Sequence, residues 1–518
     1  MATRSLLSGP ITATDAKARS SNILHALQYP SQKDAFYKRI EGHRTLIAEV
    51  VAHHLGTKPS DIDISPQDYW RHGSFNLCVP IAVRAHQSAQ PKIPEHVFIR
   101  FPLPYRVGEA GRPGNSDEKL NCEAATYAWL QENCPSIPIP RLYGFGLSTN
   151  RRFTHLELLP WWSRCLQHLR RFVLAALRFQ QPSSYVHHSS SRFAALDVGY
   201  LIIETITADR GEMLSESWDD HRGCTRLRTN LQRDLSRILI SLSRISLPRI
   251  GSFRLDCNGY LHLANRPLNV QSIMHENEGL PLDISRDTTF PSVTEFVLSC
   301  LTTFDNRLLY QPNSITSRED ALDQMSGLAV ARSIFPQLFR HDLSNGPFML
   351  SLTDLHKSNI FVDKDWRITC IIDLEFACSL PVEFLESPSC WLDVEMVHEM
   401  APDDFAPKHA EFLEHLRHEE KLQNYQDRES LSSIMEQTWK NGTFWFTLAL
   451  RDPIAFNQIM YDNILASYFA ITANELSKAD YSLAALTWRP NISDIIDRKL
   501  RDQEKYQKEL DQVFEDPT

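Results

Sequence analysis

Short apolar runs separated by turn residues mark the first part of the chain. Four of these runs have the length and the β-branched or aromatic content of strands, and they cover 77–83, 96–101, 141–146 and 201–206. Between the second and third runs, apolar residues recur at helical spacing, at Leu120, Ala124, Tyr127 and Leu130. The pattern predicts a small, sheet-rich unit that contains one long helix.

The pattern changes near residue 207. Residues 1 to about 30 are polar, and 35–55 suits helices, so we expect a helical extension over 1–60 before the sheet-rich unit of 61–206. From 207 to 518 the helical period dominates, at 224–246, 291–310, 317–342, 408–425, 428–450, 455–476 and 491–514. The sequence therefore predicts an α+β protein with two lobes, a small β-rich first lobe and a larger, mainly helical second lobe.

Charge argues against one class of partner. Apolar residues make up 42% of the chain and charged residues 23%, which suits a globular protein, but the net charge is −10. Binding to nucleic acid draws on basic residues that displace counterions from phosphates. We therefore expect no nucleic-acid partner.

Cysteine spacing and hydropathy indicate the compartment. The ten cysteines are scattered and form no Cys-x-x-Cys pair, which suits buried, reduced thiols. The first 21 residues lack the apolar stretch of a signal peptide, and no apolar run approaches the roughly 18 residues of a spanning helix. These features predict a cytoplasmic protein.

The segment 350–377 carries the strongest chemical signal. Asp354 and Asn359 stand five residues apart before an apolar strand, and a return strand ends at Asp373. A hairpin of this kind would bring the three side chains together. Phosphoryl transfer requires hard oxygen ligands for magnesium, which Asn359 and Asp373 would supply, and a proton acceptor for the attacking group, which suits Asp354.

This segment resembles the aminoglycoside-phosphotransferase and choline-kinase branch of the protein-kinase-like superfamily, especially its fungal members. The family pattern is His-Gly-Asp-Leu-His-x-x-Asn followed by Ile-Asp-Trp-Glu. The chain keeps Asp354, Leu355, His356, Asn359, Ile372, Asp373 and Glu375. It departs from the pattern at Leu352-Thr353, which replaces His-Gly, and at Leu374, which replaces Trp.

The resemblance implies a two-lobed protein-kinase-like fold, with the catalytic hairpin 350–377 in the second lobe, and an ATP- and Mg-dependent kinase. Its acceptor would be a small-molecule hydroxyl or amine. By position, Arg100 corresponds to the phosphate-binding cation and Glu123 to its partner, although a surface ion pair would have the same sequence. The turn with Gly73 and Ser74 corresponds to the phosphate-covering loop, and Glu204 lies in the strand that borders adenine; an ordinary turn and an ordinary buried strand remain alternatives.

Two other functions stay open. A catalytically inactive kinase-like module that binds a nucleotide or a partner would explain Leu352-Thr353, the single glycine of the loop and Arg100. A protein kinase is less well supported, because His356 replaces the usual lysine and no Ala-Pro-Glu motif follows Asp373. The acceptor and the oligomeric state are not indicated by any motif.

A basic insert near 151–192 interrupts the first lobe. It mixes arginines with exposed-type aromatic and aliphatic residues, Trp161, Trp162, Leu166, Leu169 and Phe172. A membrane-surface helix has this composition, and so does a helix docked on the body with its arginines in water. We do not expect membrane contact at this stage; a role in gathering an anionic substrate is a further alternative.

Overall fold

A computed structural model describes residues 3–84, 93–189, 191–393, 401–425, 429–469 and 483–515. The end of the helix expected over 455–476 and the first residue of the one expected over 428–450 lie outside the described residues. The described helices include none that is long and apolar enough to cross a membrane.

An antiparallel sheet of eight strands forms the first lobe. Its order is β3-β5-β6-β10-β7-β8-β9, with β4 paired to the end of β5. All four strands expected here are present, although the last ends at Glu204 instead of residue 206. The strands are β3 Ile62–Ile64, β4 Arg71–His72, β5 Asn76–Val83, β6 His96–Pro102, β7 Leu142–Gly146, β8 Arg152–His155, β9 Tyr185–His188 and β10 Tyr200–Glu204.

Helices cover both faces of this sheet. The helix α5 (Asn115–Asn133) packs on one face and joins its core to that of the second lobe, while α3 (Tyr29–Gly42) and α4 (Arg44–Leu55) cover the other face. Both faces are therefore dry, which explains why strands such as β10 are apolar at nearly every position. The insert helix α6 (Trp161–Ala176) lies between β8 and β9.

The sequence predicted a helical N-terminal extension over 1–60, but the first part of the extension is a β-hairpin. It begins with a hairpin of β1 (Thr3–Leu6) and β2 (Gly9–Thr12), then continues as α1 (Ala13–Ala18) and α2 (Ile23–Ala26). Ile11, Ala16 and Ile23 pack against Leu510 and Phe514 of the last described helix. The extension thus crosses from the second lobe to the sheet.

The second lobe is mainly helical, with short hairpins inserted. Its helices are α7 Leu214–His221, α8 Thr225–Ser243, α9 Val270–Asn277, α10 Val293–Tyr310, α11 Arg318–Leu338, α12 Ser389–Leu392, α13 Pro402–Leu422, α14 Leu431–Asn441, α15 Thr443–Ala449, α16 Phe456–Gln458, α17 Ala466–Tyr468 and α18 Ile492–Glu515. A π-helical turn, Ile459–Leu465, joins α16 to α17. Its strands are β11 Glu212–Met213, β12 Ser252–Leu255, β13 Leu261–Asn265, β14 Phe348–Leu352, β15 Ile360–Val362, β16 Ile368–Ile371 and β17 Ala377–Pro381.

A buried ionic cluster fixes the start of α5. Arg266 donates to Glu118 at 2.9 and 2.8 Å and to Glu276 at 2.9 and 2.8 Å, so one guanidinium satisfies two buried carboxylates. Bidentate contacts of this kind hold both position and orientation. Because Glu118 lies on α5 and Glu276 on α9, the cluster orients the helix that carries Lys119 and Glu123.

The α+β class expected from the sequence is confirmed: a sheet-rich first part is followed by a largely helical second part.

Candidate active site

Two neighbouring antiparallel strand pairs, of which the second is a hairpin, build the segment 350–377. The strand β14 pairs with β17, and β15 pairs with β16, so the turn after β14 and the turn after β16 meet at one end. The second hairpin is anchored at its tip, because the Trp366 indole donates to Ser217 at 3.2 Å and stacks on Trp218 at 5.2 Å. The Ile372 N–H donates to the Asn359 carbonyl at 2.9 Å, which places Asn359 next to Asp373.

Three carboxylates converge at this end. Ligand oxygens of Asp354, Asp373 and Glu375 lie within 4.8 Å of one another. Asn359 belongs to the same group, because its Nδ2 donates to the Asp354 carbonyl at 2.8 Å. That bond orients the amide and leaves Oδ1 for a ligand. The structure therefore brings together the three side chains that the sequence singled out.

Arg100 connects the sheet to this cluster. On β6 it lies buried, and its guanidinium donates to Glu123 at 2.9 Å and to Asp373 at 2.8 Å. Glu123, on α5, is fully buried. The pair expected from sequence spacing is thus present in the protein interior, not on the surface, and it also reaches the end of the hairpin.

Lys119 is a site residue that the sequence analysis missed. It is fully buried on α5, forms an ion pair with Glu375, and donates to the Asn76 Oδ1 at 2.7 Å. Asn76, at the start of β5, donates in turn to Glu375. The signal available in the sequence was a lysine one helical turn before Glu123, among residues of a helix with a long buried stretch.

The buried charges do not balance without a further cation. Arg100 and Lys119 face four carboxylates, those of Asp354, Asp373, Glu375 and Glu123. Burial raises the pKa of Glu123 to about 7. Burial, together with Asp373 and Glu375, raises the pKa of Asp354 to about 7. Both shifts come first from burial, which disfavours the charged carboxylate, and a divalent cation bound here would favour the charged form.

The Asp373 carboxylate remains the best metal ligand of the group. Burial opposes its ionisation, but the Arg100 guanidinium outweighs burial and holds the pKa of Asp373 below its ordinary value. For Glu375, burial and the neighbouring Asp373 raise the pKa instead. Asp373 is therefore charged at neutral pH and able to bind a cation.

Asp373 also has an unusual backbone. Its φ angle is 62°, in the left-handed region that non-glycine residues rarely adopt. A conformation of this kind costs on the order of 1–3 kcal/mol and persists where the surroundings impose it, often at functional sites. Here the ion pair with Arg100 and the hairpin on the preceding side hold the carboxylate in the cluster.

Thr353 stabilises the loop where the sequence departs from the family pattern. Its hydroxyl donates to the Phe376 carbonyl at 2.7 Å, which ties the turn after β14 to the start of β17. Arg451, before α16, donates to the Thr353 carbonyl at 2.7 Å and pairs with Glu386. The turn that carries Asp354 is thus fixed by contacts of Thr353, despite the missing His-Gly.

The turn with Gly73 and Ser74 lies between β4 and β5. Both residues are exposed; the Gly73 N–H donates to the Asn76 carbonyl at 3.0 Å, and the Ser74 carbonyl accepts from Arg106 at 2.9 Å. The next residue, Phe75, packs edge-on against Phe376 at 5.2 Å. The turn therefore adjoins the cluster through Phe75 and Asn76, while Gly73 and Ser74 themselves are exposed.

The Glu204 side chain is not part of the cluster. Its carboxylate accepts from the Arg141 N–H at 3.0 Å and from Arg210 at 3.0 Å, and its own N–H donates to the Arg141 carbonyl at 2.9 Å. The carboxylate and the N–H of Glu204 are therefore both hydrogen-bonded within the protein. Any nucleotide contact of Glu204 would therefore involve its backbone carbonyl.

Lys119 should be essential to stability because it compensates Glu375 in the interior. We expect Lys119→Met to lower the free energy of unfolding by about 3–5 kcal/mol, since it leaves a buried carboxylate unpaired. The double variant Lys119→Met/Glu375→Gln should recover at least half of that loss. Urea denaturation of both variants and of the exposed control Lys38→Met measures this; a single variant no worse than the control would contradict the pairing.

Comparisons with known proteins find distant structures only. No protein-family model matches the sequence, and no curated protein matches it. A candidate aminoglycoside phosphotransferase from Ralstonia eutropha is similar in structure, with a TM-score of 0.40 and 10% identity over 89% of this chain and 98% of that chain. An ethanolamine kinase from Plasmodium vivax is similar with a TM-score of 0.36 and 12% identity over 84% of this chain and 85% of that chain.

Proposed function

We propose that the protein is an ATP- and Mg-dependent phosphotransferase that acts on the hydroxyl or amine of a small molecule. The observation that carries the proposal is the cluster of Asp354, Asp373 and Asn359, joined to Arg100 and Lys119 from the other lobe. Phosphoryl transfer depends on positioning and charge neutralisation more than on covalent chemistry, and this cluster offers both.

Asp373 and Asn359 are the residues that would hold magnesium. Asp373 offers an ionised carboxylate and Asn359 an amide oxygen, which are ligands that magnesium prefers. When bound, the ion neutralises phosphate oxygens of the nucleotide. Arg100 would contact the phosphates, with Glu123 holding its guanidinium, and backbone groups at Gly73 and Ser74 would cover them; the Glu204 carbonyl would border adenine.

Asp354 would act as the proton acceptor. In the reaction, the acceptor oxygen or nitrogen bonds to the terminal phosphorus of ATP, the bond to ADP breaks, and Asp354 takes the acceptor's proton. Its position at the end of β14, fixed by the bonds of Thr353 and Asn359 around it, suits that role. A carboxylate with a raised pKa is also a stronger base than an exposed one.

A cavity beside Asp354 supports a small acceptor. It encloses about 320 Å³, and Asp354 forms part of its wall. This volume lies at the lower end of the range for small-molecule sites. A site of this size accommodates a small molecule, which supports a metabolite as the acceptor.

A cytoplasmic setting is supported by the thiols. All ten cysteines are free, and five of them are buried. Reduced, buried cysteines are typical of the cytosol.

Replacement of the two aspartates should separate binding from turnover. Asp373→Ala should remove the Mg-dependent part of ATP binding. The loss of affinity should be at least the roughly 10–100-fold that follows mutation of residues that only orient metal ligands. Asp354→Ala should bind Mg·ATP like the wild type but lose about 100- to 10,000-fold in rate, as expected for a general base. Thermal shift with ATP, with and without magnesium, and ADP release measure the two effects.

The exposed Asp63→Ala is the matched control and should change neither quantity. Equal Mg·ATP binding by the wild type and Asp373→Ala would refute the metal assignment. Mg-dependent ATP binding without turnover on any of a panel of alcohols and amines would favour the catalytically inactive module instead.

The pH dependence of kcat/KM should follow ionisation of Asp354. Because the proton acceptor must be deprotonated and its pKa is raised to about 7, activity should fall as pH drops below that value. Arg451 lowers this pKa, so Arg451→Met should move the acid limb to higher pH, while the exposed Arg84→Met should leave it in place. A rate that is flat through neutral pH would contradict the assignment of Asp354 as the base.

A further inference from the structure

The cavity beside Asp354 has a wall of mostly apolar side chains. Helix α8, helix α10, β17 and the segment after β17 contribute to it, through Leu235, Leu239, Phe296, Leu380, Phe384 and Trp391. The apolar side chains surround the space that an acceptor would occupy next to the proton acceptor. All the residues that line the cavity belong to the second lobe.

Charged groups at the cavity are few. Apart from Asp354, the described lining holds only Glu386 and Arg451, and these two form an ion pair with each other. Arg451 is held further by the Thr353 carbonyl. A polycationic ligand requires several uncompensated carboxylates, and this lining offers at most the one of Asp354.

We infer that the acceptor is a molecule with an apolar body and a single hydroxyl or amine, not a polycationic aminoglycoside. The inference rests on the proposed function for the identity of the cavity as the acceptor site. The apolar body would contact the leucines and aromatic rings, and the hydroxyl or amine would lie at Asp354. Burial of the apolar body away from water would favour such binding.

Thermal shift with 1-octanol and kanamycin as probes tests the inference. The full-length protein should be stabilised by 1-octanol in a saturable way and not by kanamycin. Cys300→Trp, which fills the cavity from α10, should reduce the octanol affinity at least tenfold, as should Leu239→Arg from α8. Leu422→Arg, at an exposed position at the end of α13, is the control and should bind like the wild type.

The outcomes separate this inference from the proposed function. Octanol binding without Mg·ATP binding would keep the cavity assignment and overturn the kinase proposal. Two outcomes with intact Mg·ATP binding would overturn the apolar acceptor alone. One is a thermal stabilisation by kanamycin that Cys300→Trp abolishes. The other is the lack of any stabilisation by 1-octanol that Cys300→Trp reduces.

A second inference concerns α6, whose apolar side points away from the protein. None of its residues is buried, and eight large hydrophobic side chains between 161 and 179 are more than a third exposed. They include Trp161 and Phe172, each 71% exposed, and Leu169, 59% exposed. The sequence left a helix docked by its apolar side as one alternative, and the structure shows the opposite orientation.

The polar side of α6 holds it to the body. Arg171 donates to the Pro182 carbonyl at 2.7 Å and approaches Glu132 at 4.0 Å. Arg164 donates to the Glu157 carbonyl at 3.5 Å. The contacts of the helix with the protein are therefore polar, and its apolar side is left without a partner among the described residues.

We define the outward face of α6 as Trp161, Trp162, Leu166, Leu169, Phe172, Val173 and Leu177. At 100° per residue these positions cover about 160° of the helix circumference. The helix is about 24 Å long, so the face is a continuous apolar strip and not a set of isolated side chains. A strip of this kind on a water-soluble surface marks a site of contact.

Charge indicates what the outward face contacts. The chain carries a net charge of −10, yet no acidic residue occurs from 158 to 196, where five arginines lie. Arg170 and Arg178 are exposed beside the outward face. The segment around the outward face is therefore locally positive, although the chain as a whole is negative, and an anionic surface would be attracted to it.

We propose that the outward face of α6 binds the surface of a membrane that contains anionic lipids. Trp161 and Trp162 at the start of the helix would lie at the level of the headgroups, the aliphatic residues would enter the acyl boundary, and Arg170 and Arg178 would contact lipid phosphates. Tryptophan is enriched at this depth, and interfacial helices combine an apolar face with arginines in this way. The proposal does not depend on catalysis.

Sedimentation with lipid vesicles tests the proposal on the full-length protein. It should bind vesicles of phosphatidylcholine mixed with phosphatidylserine, and less well those of phosphatidylcholine alone or at high salt. Leu166→Glu/Phe172→Glu should lower the partition coefficient at least tenfold, and Arg170→Glu/Arg178→Glu should lower it for the anionic vesicles. Leu422→Glu places the same charge at another exposed leucine and should bind like the wild type.

Two results would overturn the proposal. One is vesicle binding that the Leu166→Glu/Phe172→Glu variant retains. The other is absence of vesicle binding together with a dimer, seen by analytical ultracentrifugation, that this variant dissociates; the outward face would then pair with a second copy of the chain.

Discussion

The candidate site depends on two cations buried between the sheet and the strands of the segment 348–381. Arg100 and Lys119 belong to β6 and α5, whereas the carboxylates of Asp373 and Glu375 belong to the segment after β16. Charged groups leave water at a high cost unless they are paired, so each side of this contact is stable only in the presence of the other. The same interaction thereby aligns the two halves of the protein and positions the groups proposed for phosphate and magnesium. The oxygens of Asp354, Asp373 and Glu375 also lie close enough together to hold a divalent cation.

The local part of this site was predictable from the sequence, and the long-range part was not. The spacing of Asp354, Asn359 and Asp373 around two strand patterns implied that a hairpin brings them together, and the structure does so. The contacts of Lys119 and Asn76 with Glu375 join residues more than 250 positions apart and have no local pattern, so only the folded chain reveals them. The β1–β2 hairpin was missed for a related reason: its strands have four residues each and little apolar content.

The insert helix and the turn after β14 show two features that a sequence pattern cannot decide. Periodicity identified the apolar side of α6, but it cannot tell whether that side faces the protein or solvent, because both arrangements have the same sequence. At Thr353, comparison with a family pattern suggested a weakened loop. The structure shows that the Thr353 hydroxyl donates to the Phe376 carbonyl and that Arg451 donates to the Thr353 carbonyl. These two bonds hold the loop, and both involve main-chain carbonyls, which a sequence motif does not describe.

The contact of the N-terminal hairpin with α18 has a consequence for how the chain is made. Arg4 donates to the carbonyl of Val513, 509 residues away, and Tyr506 accepts from the Ile23 N–H at 2.9 Å. During synthesis the hairpin leaves the ribosome long before α18 is made. Its apolar residue Ile11 therefore lacks its packing partners on α18 until the end of translation. Closure of this contact is therefore a late event in folding, and a C-terminal truncation that removes α18 would expose surface at the opposite end of the sequence.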